Sequence, residues 1–209
     1  MLKIYEYKGF PNPTRARIAL AEKGLLDEVE FVTVDVPNGE HRLPKFRAKN
    51  PSATVPVLEL EDGTCISECT AITEYVDQLV GEPVLTGRSA KERAVIHMMQ
   101  RRAEAGLFDA AATFFHHATP GLGPKLESYQ NREWGEKSRE QAVAGMRYLD
   151  QVLTAQPFLA GDRFTVVDIT AFAGLLFAAF GKIEIPAELD RLASWRERIA
   201  SRASIMRAA

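Results

Sequence analysis

Residues 54–72 read TVPVLELEDGTCISECTAI. Two short apolar runs, Val55–Leu60 and Thr64–Ile66, flank a turn containing Asp62-Gly63, which is a β-hairpin signal. Pro56 stands where the first run begins, a place where its missing N–H removes no ladder bond. After Ser67, Ala71 to Leu79 carries apolar residues at helical spacing. Working back toward the N-terminus, Val29 to Val36 is rich in β-branched residues and reads as a strand, closed by the turn Pro37-Asn38-Gly39. Arg15 to Leu25 reads as a helix with Ala16, Ile18, Ala19, Ala21 and Leu25 as its apolar positions, and Leu2 to Tyr7 as a strand broken by Pro11 and Pro13. Lys45 to Lys49 is a short helix at most. The order is βαβ, then a ββ hairpin, then α, and this α/β unit closes at residue 81.

Beyond it the pattern is all helix. Lys91 to about Leu107 and Trp134 to Thr154 are long helices, the second with Ala142, Met146, Leu149 and Leu153 on one face. Thr165-x-x-Asp168 is a capping box opening a third, and a shorter helix follows Pro186, near Leu189 to Ile199. The expected organisation is an α/β domain over 1–81, a linker over 82–87 containing Glu82-Pro83 and Thr86-Gly87, and an all-helical domain over 88–209.

Composition narrows the function. The chain has 209 residues, with 26 Lys plus Arg against 28 Asp plus Glu, for a net charge of −2. A protein so near neutrality has no global field for nucleic acid or an anionic membrane. A chain of this length buries roughly 70% of its extended surface and needs no disulfide or metal to hold it together. Cys65 and Cys69 are spaced C-x3-C, which makes neither a disulfide framework nor a dithiol redox pair. His97 is far from Cys69, and His116 and His117 are adjacent rather than one helical turn apart, so no zinc site is expected. MLKIYEYKGF is not a signal peptide, and Ala171 to Phe180, the longest apolar run, is too short to span a bilayer. The expected location is the cytoplasm.

This arrangement resembles the glutathione S-transferase family over the whole chain: a thioredoxin-like βαβ-ββα domain followed by a helical bundle. Three motifs carry the resemblance. Thr54-Val55-Pro56-Val57-Leu58 matches the place of the family's cis proline, which implies that the Val55 backbone pairs with the cysteinyl unit of glutathione beside Pro56. Ser67-Glu68-Cys69-Thr70-Ala71-Ile72 matches the Glu/Gln-Ser-x-Ala-Ile turn. There the helix N-terminus suits the γ-glutamyl carboxylate and Glu68 the ammonium. Cys69 replaces the usual serine, and a thiol is the poorer donor, so weaker binding is expected. Phe164 to Thr170 matches the capping box of the C-terminal domain, where Thr165 and Asp168 serve folding. The glycine carboxylate usually meets a cation or amide from the region after the second strand, which makes His41 and Lys45 the candidate ligands.

The catalytic group is the open question. The family activates the glutathione thiol, whose free pKa is about 8.5, usually with Tyr or Ser. Counting back from Arg15, the serine position falls on Pro11, which has no donor, and the loop Tyr7–Arg15 holds no cysteine. Tyr7 ends the first strand, where tyrosine-type members keep their phenol. Phe114 to Pro124, with Glu68–Tyr75 and Val95–Met99, resembles instead the yeast-type class that lacks a catalytic Tyr, Ser or Cys. That class holds a water between a serine and a histidine. The histidine maps to His116 or His117. The serine position, four residues before the pair, is Ala112, and Thr113 is the nearest hydroxyl, about 100° around the helix. Asn12, Thr14 and Phe10 are further groups within reach from the loop.

The resemblance implies conjugation of glutathione, as co-substrate and without another cofactor, to a small hydrophobic electrophile in detoxification. Walls are expected from Phe10, Phe108, Ala112, Phe115 and Phe177. The alternatives are a glutathione peroxidase on organic hydroperoxides, or a non-catalytic interaction module. A homodimer is implied through residues 65–75 and 88–105, with Arg93, Arg101 and Arg102 against Glu74 and Asp77.

Overall fold

The computed structural model describes residues 1–208. Four strands, β1 (Leu2–Glu6), β2 (Val29–Thr33), β3 (Val57–Glu59) and β4 (Cys65–Ser67), form one sheet in the order β2-β1-β3-β4. β1 and β2 are parallel, and the other two pairings are antiparallel. The helices α1 (Pro11–Glu22), α2 (Pro44–Arg47) and α3 (Cys69–Leu79) complete the βαβ-ββα unit. Its core joins Ile4, Val29 and Leu58 of the sheet to Ala16 and Leu20 of α1 and Ile72 and Val76 of α3. This is the thioredoxin-like architecture expected.

α1 begins earlier than expected. Pro11 and Pro13 sit inside its first turn rather than ahead of it. The first N–H groups of a helix have no intrahelical acceptor, so prolines there forfeit nothing, and their fixed φ suits the helix.

The chain divides into two compact units, Met1–Leu85 and Thr86–Arg202, with the C-terminal segment returning to the first. That segment is α9 (Ala203–Ala208). Its Ile205 and Ala208 are buried, Ser204 Oγ bonds the Glu22 carboxylate, and Arg207 pairs with Asp27 at 2.6 Å. Residues 203–208, expected in the helical domain, therefore belong to the α/β unit.

Asp77 also departs from expectation. It is not a surface group of α3 available to a second subunit: it is wholly buried and paired with Lys23 Nζ at 3.1 Å. Its carboxylate accepts the N–H groups of Val84 at 3.1 Å and Leu85 at 2.9 Å, so it anchors the chain as it leaves the first unit.

The second unit contains α4 (Ala90–Ala103), α5 (Asp109–Ala118), α6 (Arg132–Val152), α7 (Val166–Phe180) and α8 (Asp190–Ala200). The expected long helix is interrupted: Glu104–Phe108 form one wider, π-helical turn between α4 and α5. There Gly106 faces Gly145 of α6 so closely that a Cβ on Gly145 would lie 2.2 Å from the Gly106 carbonyl oxygen. An alanine would gain about 1 kcal/mol of helix propensity. It would lose more by forcing two backbones apart.

α7 is buried nearly all round, and its capping box is formed. Asp168 accepts the Thr165 N–H at 2.9 Å, the Leu159 N–H at 3.0 Å and the Trp195 indole N–H at 3.2 Å. Complete burial pushes its carboxyl up to about 6, against the opposing pull of these hydrogen bonds.

Candidate functional site

The register of the sheet gathers one set of residues. Val57 pairs with Ser67 and with Tyr5. Val55-Pro56 ahead of β3, Glu68-Cys69 after β4 and Tyr7 after β1 therefore lie at the same end of the sheet. The Val55–Pro56 peptide bond is cis, and Val55 is half-buried beside the buried Pro56.

Glu68 is the residue before α3. Its φ of 70° and ψ of 120° place a non-glycine residue in a sparsely populated region. Such a residue costs of order 1–3 kcal/mol and persists where surroundings over-determine it. Its side chain is exposed and no side chain caps the helix behind it. A carboxylate thus stands beside the positive end of an eleven-residue helix. Cys69, the first residue of α3, is buried. Its thiol lies 3.3 Å from the Asn12 carbonyl oxygen and 3.4 Å from Asn12 Oδ1. Arg15 is buried at the same place, bonded to Asn12 Oδ1 at 3.2 Å and to Thr70 Oγ1 at 3.4 Å. The N-termini of α1 and α3 are tied together by these four side chains. Arg15, which served above only as a landmark for counting, adds a buried cation to the anion-favouring end of α3.

In the loop before α1, Tyr7 is half-buried, its ring centroid 4.7 Å from that of Phe10. The Thr14 hydroxyl donates to the Phe10 carbonyl at 2.9 Å, so its proton is already engaged. Pro11 is buried in the first turn of α1.

His41 lies in the 3-10 turn Glu40–Arg42 and is buried, with no partner for Nδ1. Burial chiefly, and then the Arg42 charge, hold its pKa below the ordinary histidine value. It is a neutral imidazole at pH 7. Lys45 is on α2 and exposed.

His116 and His117 belong to the second unit, in the last turn of α5. They have different partners. His116 Nδ1 lies 2.7 Å from Glu127 Oε1. A carboxylate only accepts, so Nδ1 of His116 carries the proton. His117 Nδ1 accepts the Asn131 N–H at 3.1 Å, so the proton of its neutral ring is on Nε2. The His117 ring packs on Trp134 with centroids 4.6 Å apart, whereas His116 stands with Phe115 at 5.1 Å and Phe177 at 6.2 Å. Phe177 also meets Phe108 at 5.5 Å and Phe115 at 5.6 Å, which assembles the expected aromatic residues of the second unit. Ala112 is one turn before His116 on the same face of α5 and is half-buried. Glu127 was not anticipated. It lies eleven residues from His116 across an irregular loop, and no periodicity links the two.

Among the described residues, no group of His, Cys, Asp or Glu side chains is placed to hold a metal ion, and no helix is long and apolar enough to cross a membrane.

Comparison with known proteins agrees with this geometry. Residues 11–79 match the glutathione S-transferase N-terminal domain family and residues 108–203 the C-terminal domain family. Glutathione S-transferase 2 of Saccharomyces cerevisiae is 54% identical over 202 residues, covering 97% of this chain and 87% of that protein. The crystal structure of Gtt2 from Saccharomyces cerevisiae has a TM-score of 0.97 at 53% identity, over 99% of this chain and all of that one, at 100%. A glutathione S-transferase domain-containing protein of Marinobacter aquaeolei VT8 has a TM-score of 0.96 at 62% identity, over 97% of this chain and 99% of the other. Both halves of the chain and its full-length relatives give one answer: it belongs to the glutathione S-transferase family and is a glutathione transferase.

Proposed function

We propose that the chain joins the sulfur of glutathione to a carbon of a small hydrophobic electrophile. The observation that carries the glutathione reading is the end of α3: a carboxylate in a strained backbone position beside an uncapped helix N-terminus, with buried Arg15 behind it. Glu68 takes the γ-glutamyl ammonium, and the first-turn N–H groups at Cys69 take the carboxylate. The Val55 backbone, turned at Pro56, pairs with the cysteinyl unit as an added strand would. His41, neutral and with Nδ1 lacking a partner, donates to the glycine carboxylate, and Lys45 adds a cation nearby.

In the reaction the thiol proton leaves sulfur for a base, and a sulfur electron pair forms the S–C bond. The electrophile releases a leaving group with its electron pair, or accepts that pair into a polarised π-bond. His116, His117 and Tyr7 are the groups proposed to take or steer the proton, directly or through one water. With Ala112 in the serine position, the imidazole carries that task without a neighbouring hydroxyl. The protein acts in detoxification in the cytoplasm, as a homodimer. The outward face of α4, with Val95 and Met98 exposed above a shallow groove of about 450 Å³, supports the dimer.

Calorimetric titration with glutathione, with thiolate absorbance followed against pH in the same samples, tests the reading. Binding with a thiol pKa clearly below about 8.5, and turnover of a chlorodinitrobenzene probe, are expected. No binding at millimolar glutathione would overturn it and leave an interaction module on a transferase scaffold.

A further inference from the structure

The segment between α5 and α6 is organised around one carboxylate that the transferase reading does not use. Glu127 Oε1 accepts the Leu122 N–H at 2.8 Å and faces His116 Nδ1 at 2.7 Å. Its side chain is 11% exposed. Gly121, with a φ of 54°, comes so close that a Cβ there would lie 2.2 Å from the same Oε1. Only glycine fits at 121 while Glu127 holds this position. Gln130 Nε2 donates to the carbonyls of His116 and Thr119, each at 2.7 Å, and so fastens the segment to the end of α5. The imidazole of His116 is therefore held from two sides, by a carboxylate on Nδ1 and by the rings of Phe115 and Phe177.

We propose that Glu127 is a positioning residue for the transferase reaction. It holds His116 with the proton on Nδ1 and leaves Nε2 as the ring's single acceptor. In the reaction the thiol proton passes to Nε2, directly or through one water. The resulting imidazolium keeps its Nδ1–H on the Glu127 carboxylate, which stabilises the new charge. The sulfur pair freed by that transfer forms the S–C bond. The same geometry separates the two adjacent histidines. His117 already uses Nδ1 to accept the Asn131 N–H, so its neutral ring has no acceptor left. This proposal rests on His116 being the proton acceptor proposed above.

Long-range ¹⁵N–¹H correlation spectra of the full chain read the two tautomers directly. Kinetics of Glu127→Gln and Glu127→Ala read their consequence. Neutral His116 is expected with Nδ1 protonated, and neutral His117 with Nε2 protonated. Both Glu127 variants are expected to lower kcat, the alanine by about tenfold or more, with KM for glutathione within about twofold of wild type. Glu127→Gln keeps an acceptor for both Leu122 and His116, so it remains informative if the alanine variant fails to fold. An Nε2-protonated His116 in the wild type would overturn the proposal, as would wild-type kcat in Glu127→Gln with Glu127→Ala either unchanged or unfolded. Those failures leave the transferase reading standing. A wild-type protein that neither binds nor conjugates glutathione fails that reading instead, and removes the catalytic role of Glu127 with it.

Discussion

Cys69 occupies the first position of α3, where a hydroxyl would serve an anion better. Its thiol is buried against Asn12 and is a weak donor. In the proposed glutathione site, a hydroxyl at this point adds one hydrogen bond to the γ-glutamyl carboxylate. A net bond of this kind contributes roughly 0.5–1.5 kcal/mol, which corresponds to a factor of about 2–10 in affinity. Cys69→Ser is therefore expected to lower the glutathione Kd several-fold in calorimetry. An unchanged or higher Kd would remove Cys69 from the glutathione site. The substitution was visible in the sequence as a departure from the family pattern. That Asn12 is the thiol's neighbour was not, because 57 residues separate them and only the packing of α1 on α3 joins them.

At the scale of elements, α7 and its cap show burial and hydrogen bonding opposing each other at one carboxyl. Asp168 is ionised only against the desolvation of a fully buried site, which pushes its pKa up to about 6 from the ordinary 3.8. A carboxyl raised in the folded state binds more protons than in the unfolded chain between these values. Its contribution to stability is then full below about pH 4 and declines as pH rises through 6, by up to about 3 kcal/mol. The stability difference between the wild type and Asp168→Asn, measured by denaturant unfolding, should be largest near pH 4 and shrink toward pH 7. A difference that is flat with pH, or grows, would contradict this account. The capping box itself was legible as Thr165-x-x-Asp168, because caps are local. The raised pKa was not, since Trp195 and Leu159 reach Asp168 only in the folded unit.

For the whole molecule, the chain enters the first unit twice, at Met1–Leu85 and again through α9. The buried Asp77–Lys23 pair and the carbonyls of Asp77 and Glu82, which accept from Lys23 Nζ at 2.9 Å each, secure the point where the chain first leaves it. The proposed homodimer cannot use Asp77, and the apolar face of α4 with Val95 and Met98 is the part of its proposed surface open to test. Val95 at 38% and Met98 at 45% exposure stand one turn apart on the same helix face, so they form an apolar pair rather than a lone exposed residue. Met98→Glu should shift a dimeric protein toward the monomer in light scattering without changing its helical circular dichroism. A dimer unaffected by that charge would place the interface elsewhere.

The βαβ-ββα order, the Asp62-Gly63 hairpin and the capping box could be read from the chain itself, whereas α5 and α9 were not read as helices. Each legible feature depends on residues within one or two turns of each other, where alternation, helical spacing and cap chemistry act directly. The end of the sheet where Val55, Pro56, Glu68 and Tyr7 meet, and the passage of α9 back to α1, follow from register and packing. The choice between His116 and His117 is of the same kind. Their sequence neighbourhoods are almost identical, and what separates them is whether Glu127 or Asn131 arrives at Nδ1. Those partners come from an irregular loop whose path is set by Gly121, by Gln130 and by the burial of Leu126, none of which leaves a periodic trace in the chain.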